Sequence, residues 1–221
     1  MVRNAEAVHR RHAGEQVLIE LIDRHPALIP CVHAIREAVD IMAGSFASGG
    51  ILLVCGNGGS AADAGHIAAE LMKNFRLRRP FPPGLRERLA AGGEPALAER
   101  LQPALPTIAL TGASPLATAI ANDLGAEYCF AQQVLGYGRP GDVFLGISTS
   151  GNARNVLAAA RTARALGLST IGLTGRDGGK LADLVQVAIR VPAVETYLVQ
   201  ELHLPVYHAL CAALEEEIYR E

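Results

Sequence analysis

Apolar residues recur at helical spacing near the start of the chain, with Val17, Leu18, Leu21 and Ile22 in one stripe and Ile35, Ala38, Val39 and Met42 in another. They predict two helices within residues 5–48, parted at His25-Pro26 and stopped by Gly49-Gly50. The pattern then changes. ILLVC (51–55), TIALT (107–111), DVFLGI (142–147), STIGLT (169–174) and VQVAIR (185–190) are continuous apolar runs, as expected of parallel strands covered on both faces. Helical segments lie between most of them, and a long last helix follows from about Glu195. Such alternation predicts a doubly wound α/β architecture with right-handed crossovers and ligands at the carboxyl ends of the strands.

Residues 76–106 depart from this rhythm. They carry six of the twelve prolines, and six arginines against three glutamates. A stretch this long with little regular pattern reads as a lid, a binding loop or disorder. A basic flap near the site, with Arg76, Arg78 and Arg79 steering phosphate, stands beside a solvated insertion or an oligomer contact. The whole chain, 1–221, reads as one domain, with 1–48 as a helical hairpin and 76–106 as an insertion.

Composition narrows the class. Half of the 221 residues are hydrophobic and the formal charge is −2, which excludes a disordered chain and leaves no global basic field for nucleic acid. No apolar run approaches the ~18 residues of a membrane span, and the N-terminus lacks the apolar core of a signal peptide. Cys31, Cys55, Cys129 and Cys211 are scattered among apolar residues and read as buried thiols in a reducing, cytoplasmic setting.

Two strand ends carry chemistry. ILLVC runs into Gly56-Asn57-Gly58-Gly59-Ser60 and a helix; DVFLGI runs into Ser148-Thr149-Ser150-Gly151-Asn152 and another. Exposed N–H groups and the positive end of a helix dipole make such turns anion sites. One loop alone is ordinary turn chemistry; two in one sheet point to a phosphorylated ligand. Neither fits a Walker A loop or a dinucleotide fingerprint, so no nucleotide cofactor is expected.

Two pairs have helical spacing. His66 and Glu70 lie one turn apart on one face, and Gln200 and His208 lie about 80° apart around the last helix. Together they could bind a divalent metal such as zinc, or supply a carboxylate base and an imidazole acid. Taken singly, His66 reads as a surface or capping histidine and Glu70 as a solvated carboxylate. His203 reads as a supporting or structural residue, and Pro205 should kink the helix or mark where its bonding resumes.

GNGGSAADA with His66 and Glu70, the STSGN loop, LTGRDGGKL (173–181), and QELH followed by His208 resemble the SIS-domain sugar isomerases, in particular the phosphoheptose isomerases. The resemblance spans nearly the whole chain. It implies a flavodoxin-like five-stranded parallel sheet, a homotetramer, and active sites built between subunits. It implies phosphate on Ser148, Thr149 and Ser150, with Asn152 in the same loop, and sugar near Asn57, Gly58, Gly59, Ser60, Asn122 and Asp123. Glu70 and His208 become the acid/base residues, with Gln200 and Glu70 also touching substrate. Zinc at His66, Glu70, Gln200 and His208 is a further implication. The implied reaction is the isomerisation of sedoheptulose 7-phosphate to a manno-heptose 7-phosphate through a cis-enediol. The alternatives are isomerisation of another phosphosugar, or a non-catalytic SIS module that senses a sugar phosphate or binds a protein. Departures from the family pattern are Ala153, where a serine is usual, Tyr197, where some members have an acidic residue, Asn74, where arginine often stands, and the length of 76–106.

Overall fold

The computed structural model describes residues 14–82, 84–93, 95–112 and 114–220. Residues 14–24 form helix α1, and a 3-10 turn, Pro26–Cys31, leads into α2, Val32–Ala47. The break falls at His25-Pro26 as expected, because proline is tolerated in a first helical turn but not in a helix interior. The part of the first expected helix before residue 14 lies outside the described residues.

The strands are β1 (Leu52–Cys55), β2 (Thr107–Ala109), β3 (Val143–Ser148), β4 (Ser169–Thr174) and β5 (Val187–Arg190). All neighbours pair in parallel, in the order β2-β1-β3-β4-β5. This is the flavodoxin-like order, whose switch point lies between β1 and β3. Between the strands run α3 (Gly59–Leu71), α6 (Ser114–Asp123), α7 (Cys129–Tyr137), α8 (Arg154–Ala165) and α9 (Gly179–Leu184), and α10 (Thr196–Tyr219) closes the chain.

Side chains of a strand alternate between its faces, and here both faces are apolar. Leu52, Val54, Leu145 and Ile171 join a core with α1, α2, α3 and α10. Leu53, Cys55 and Phe144 join a second with α7, α8 and α9. Helix α10 runs continuously through Pro205, and His203 beside it is fully buried. Burial holds the His203 imidazole down at about 4, and it faces the Thr174 backbone without a well-formed hydrogen bond.

Residues 76–106 are more regular than their composition suggests. They contain two short helices, α4 (Leu85–Ala91) and α5 (Pro95–Arg100). Helices of seven and six residues, the first with no buried residue, leave no apolar stripe to read. The expectation for Arg79 is overturned. Its side chain is fully buried and pairs with Glu215 at 2.8 Å, while its other nitrogens donate to the carbonyls of Glu70, Leu71 and Pro103. The Glu215 carboxylate also accepts the backbone N–H groups of Phe75, Arg76 and Leu77. A buried charge persists only when paired and hydrogen-bonded in this way. Arg79 therefore caps the end of α3 and cannot reach a ligand; Arg76, 3.3 Å from Glu20, and exposed Arg78 are the arginines left for that role.

Candidate active site

The two Gly/Ser/Asn loops meet at the carboxyl ends of β1 and β3, in the crevice where strand order reverses. Gly58 has φ +54° and precedes α3, a backbone that favours glycine, and a side chain on Gly59 would strike the Gln200 amide. Ser60 is 3% exposed and packs beneath Gly56. Asn57 exchanges two amide hydrogen bonds with Asn155 of α8, at 2.9 and 2.8 Å. That pair ties the first loop to the second. Asn155 escaped the sequence reading, because only the crevice gives it a partner.

In the second loop Ser148 ends β3 nearly buried, Thr149 is half-buried, and Ser150 is exposed. The Ser150 hydroxyl accepts the Asn152 N–H. The Asn152 amide donates to the Ser150 carbonyl and accepts the Lys180 N–H, so Asn152, though exposed, braces the loop. Gly151, at φ +64°, fits against Gly178 and Gly179 so closely that a side chain there would overlap the Gly178 carbonyl. The DGGK stretch is thus the bed of the loop. Helix α8 opens at Ala153 with no side-chain cap; the Val156 N–H is taken by Asn155 Oδ1 at 3.0 Å, which leaves the N–H groups of Arg154 and Asn155 as those an anion could meet.

A second cluster lies where α3 and α10 pack side by side. His66 Nε2 is 3.2 Å from Glu70 Oε1, and Lys73 Nζ is 2.8 Å from Glu70 Oε2. The His66 and His208 rings are 5.0 Å apart, edge to face, and Phe75 lies 5.7 Å from His208. Partial burial pushes the Glu70 carboxyl up, but Lys73 and His66 outweigh it and hold it below the usual carboxylate range. Glu70 is therefore ionised at neutral pH. Burial, the His66 charge and the Arg24 charge lower His208 against the pull of Glu70, so its imidazole is neutral. His208 opens into a cavity of about 510 Å³ lined in part by Glu20, Arg24, Phe75 and Arg76.

Other expected residues stand apart. Asn122 and Asp123 are exposed at the end of α6, hydrogen-bonded to each other, and α6 packs on α7 and the turn before it. Gln200 rests against Gly59, about 10 Å along α3 from His66. The expected zinc set does not assemble in this arrangement. Both Glu70 oxygens are engaged, a lysine ammonium already faces one of them, and no group of three His, Cys, Asp or Glu among the described residues is placed to hold a metal ion. These side chains do not fit a metal as they stand.

Gly/Ser/Asn loops at the switch point, beside two helices that bring together an ionised carboxylate on α3 and a neutral imidazole on α10, are the parts of a sugar-phosphate isomerase of α/β type. The sequence profile of the SIS domain matches residues 32–91 and 90–175. A phosphoheptose isomerase of Rhodospirillum rubrum is 42% identical over 188 residues, 85% of this chain and 88% of that one. Another, from Nitratiruptor, is 41% identical over 96% of this chain and 95% of its own. The solved phosphoheptose isomerase of Francisella tularensis superposes with a TM-score of 0.70 at 32% identity, covering 97% of this chain and 98% of that one. That of Neisseria gonorrhoeae gives 0.68 at 33%, over 97% and 99%. The chain belongs to the phosphoheptose isomerases of the SIS-domain family.

Proposed function

We propose that the protein interconverts sedoheptulose 7-phosphate and a manno-heptose 7-phosphate. The observation that carries this reading is an ionised Glu70 beside a neutral His208 in a chain with an uncapped Ser/Gly anion loop. Ser148, Thr149 and Ser150, with the open N–H groups of α8, hold the phosphate. The carboxylate of Glu70 takes the C1 proton of the linear ketose, and the C2 carbonyl oxygen gains a proton, giving a cis-enediol. Glu70 then returns its proton to C2 while O1 loses one, and the aldose forms. His208 carries the proton between the two oxygens, as a neutral imidazole can both accept and donate. Asn57 and Gln200, at the start of α3, flank the sugar chain.

Gly59 and Glu70 are eleven residues apart on one helix, about 16 Å, longer than the reach of a heptose 7-phosphate from phosphate to C1. This supports an active site that takes its phosphate loop from one subunit and its Glu70 and His208 from another, within a homotetramer. Asn122 and Asp123, exposed here, then face a neighbouring copy. The three fully buried free cysteines fit a reducing cytoplasm, and no described helix is long and apolar enough to cross a membrane. Zinc at the cluster would have to displace Lys73 from Glu70, and no step above is routed through it. Activity after chelation and after zinc addition tests its part.

A panel of ketose and aldose phosphates, assayed with Glu70→Gln and His208→Ala alongside, tests the reading. Turnover of the seven-carbon ketose phosphate that disappears in Glu70→Gln supports it. Preference for another phosphosugar changes the substrate, and an active Glu70→Gln removes the base.

A further inference from the structure

Two asparagines clasp across the crevice, and only one of them has a part in the reaction scheme. Asn57 follows β1, and Asn155 lies in the first turn of α8, 98 residues further on. Asn57 Nδ2 donates to Asn155 Oδ1 at 2.9 Å, and Asn155 Nδ2 donates back to Asn57 Oδ1 at 2.8 Å. Asn155 Oδ1 also accepts the Val156 N–H at 3.0 Å. That third bond decides which way round both amides stand. Turning the Asn155 amide over would set its NH2 group against the Val156 N–H, donor against donor. Asn57 is therefore held with its nitrogen toward Asn155 Oδ1 and its oxygen toward Asn155 Nδ2.

A side-chain amide has two N–H donors and two lone pairs. The clasp takes one of each from Asn57, so one N–H and one lone pair remain, both in fixed directions. Asn57 is exposed, and its side chain has no other hydrogen-bond partner among the described residues. Without Asn155 nothing would hold its rotamer. We infer that Asn155 is a positioning residue, which presents the Asn57 amide to the sugar without touching the sugar itself. The inference rests on the reading of Asn57 as a group beside the sugar chain. A hydroxyl both donates and accepts, so a fixed donor–acceptor edge suits a chain of hydroxyls. Asn155 also stands in the turn of α8 whose N–H groups face the phosphate loop, so the clasp fixes the sugar-binding amide relative to the anion.

The test is a double-mutant cycle of Asn155→Ala, Asn57→Ala and the two combined, read by steady-state kinetics. Affinity for inorganic phosphate is measured by calorimetry on the same proteins. Asn155→Ala keeps the backbone N–H that an anion meets, so phosphate affinity should change less than about twofold. That result also shows the fold and the anion turn to be intact. In contrast, kcat/KM should fall roughly tenfold in each single variant and little further in the double, because Asn155 acts through Asn57. Losses that multiply in the double variant, an unchanged kcat/KM in either single variant, or phosphate affinity that falls with kcat/KM in Asn155→Ala would overturn the inference. The cycle is run on whichever phosphosugar turns over best, so a different sugar changes the proposed substrate and leaves the clasp standing. An active Glu70→Gln removes the base and leaves the cycle unaffected, and the two failures are separable.

Discussion

The two halves of the proposed active site are built in opposite ways. The phosphate end is made of neighbours in sequence: Ser148 to Asn152 on one turn, bedded on Gly178 and Gly179 and tied to the first loop by Asn57 and Asn155. Its donors are backbone N–H groups and hydroxyls, which present a polar surface without a buried charge. The acid/base end is made of residues far apart in sequence, His66 and Glu70 from α3 and His208 from α10, and it depends on charged groups held in partly buried places. Local chemistry can make an anion cradle; an ionised base beside a neutral imidazole takes tertiary packing.

The sharpest break in this comparison is Glu70→Gln, which should cost about a thousandfold or more in kcat with KM little changed, read by steady-state kinetics. A loop variant, Gly151→Val, should be inactive for the other reason, since a side chain there overlaps the Gly178 carbonyl. If the two ends of one site come from different subunits, mixing these two dead proteins after co-expression should restore measurable turnover. No recovery would place both ends in one chain.

The same contrast governs what the sequence could reveal. GNGGS and STSGN are contiguous strings between a strand and a helix, so they stand out in the sequence as candidate anion turns, and a parallel sheet is legible in five apolar runs. The strand ends moved by a residue or two because edge positions lack pairing partners. The supports of the acid/base end were hidden. Arg79 looked like one of a run of solvated arginines, and its partner Glu215 lies 136 residues away. Asn155 likewise acquires meaning only across a crevice.

Removing one partner of the buried pair should be the largest stability effect. Arg79→Met leaves the Glu215 carboxylate buried without its cation and should cost about 3–5 kcal/mol in chemical denaturation. The phosphate end should tolerate its own polar truncations, such as Asn155→Ala, far better.

His203 supplies a pH-dependent check at the α10 end. Its folded imidazole, at about 4, lies below its ordinary value of 6.5, so the unfolded chain takes up a proton first as pH falls. Stability is fully present above pH 6.5 and declines as pH drops toward 4, by up to about 3 kcal/mol. His203→Leu should flatten that decline in pH-dependent thermal melts. The smallest effect expected is kinetic: neutralising Arg76 and Arg78 together should raise KM a few-fold and weaken its salt dependence, without touching kcat.

The Glu215 clamp has a consequence for how the insertion can change. Phe75, Arg76, Leu77 and Arg79 are all fastened to one carboxylate on α10, while α4, a few residues further on, buries none of its residues. The fastening works as a mechanical anchor, so motion or remodelling beyond it is not passed back to Glu70. Helix α4, Leu85–Ala91, is thereby a place where the chain can be shortened, lengthened or fused to another domain, at the cost of little more than a loop's entropy.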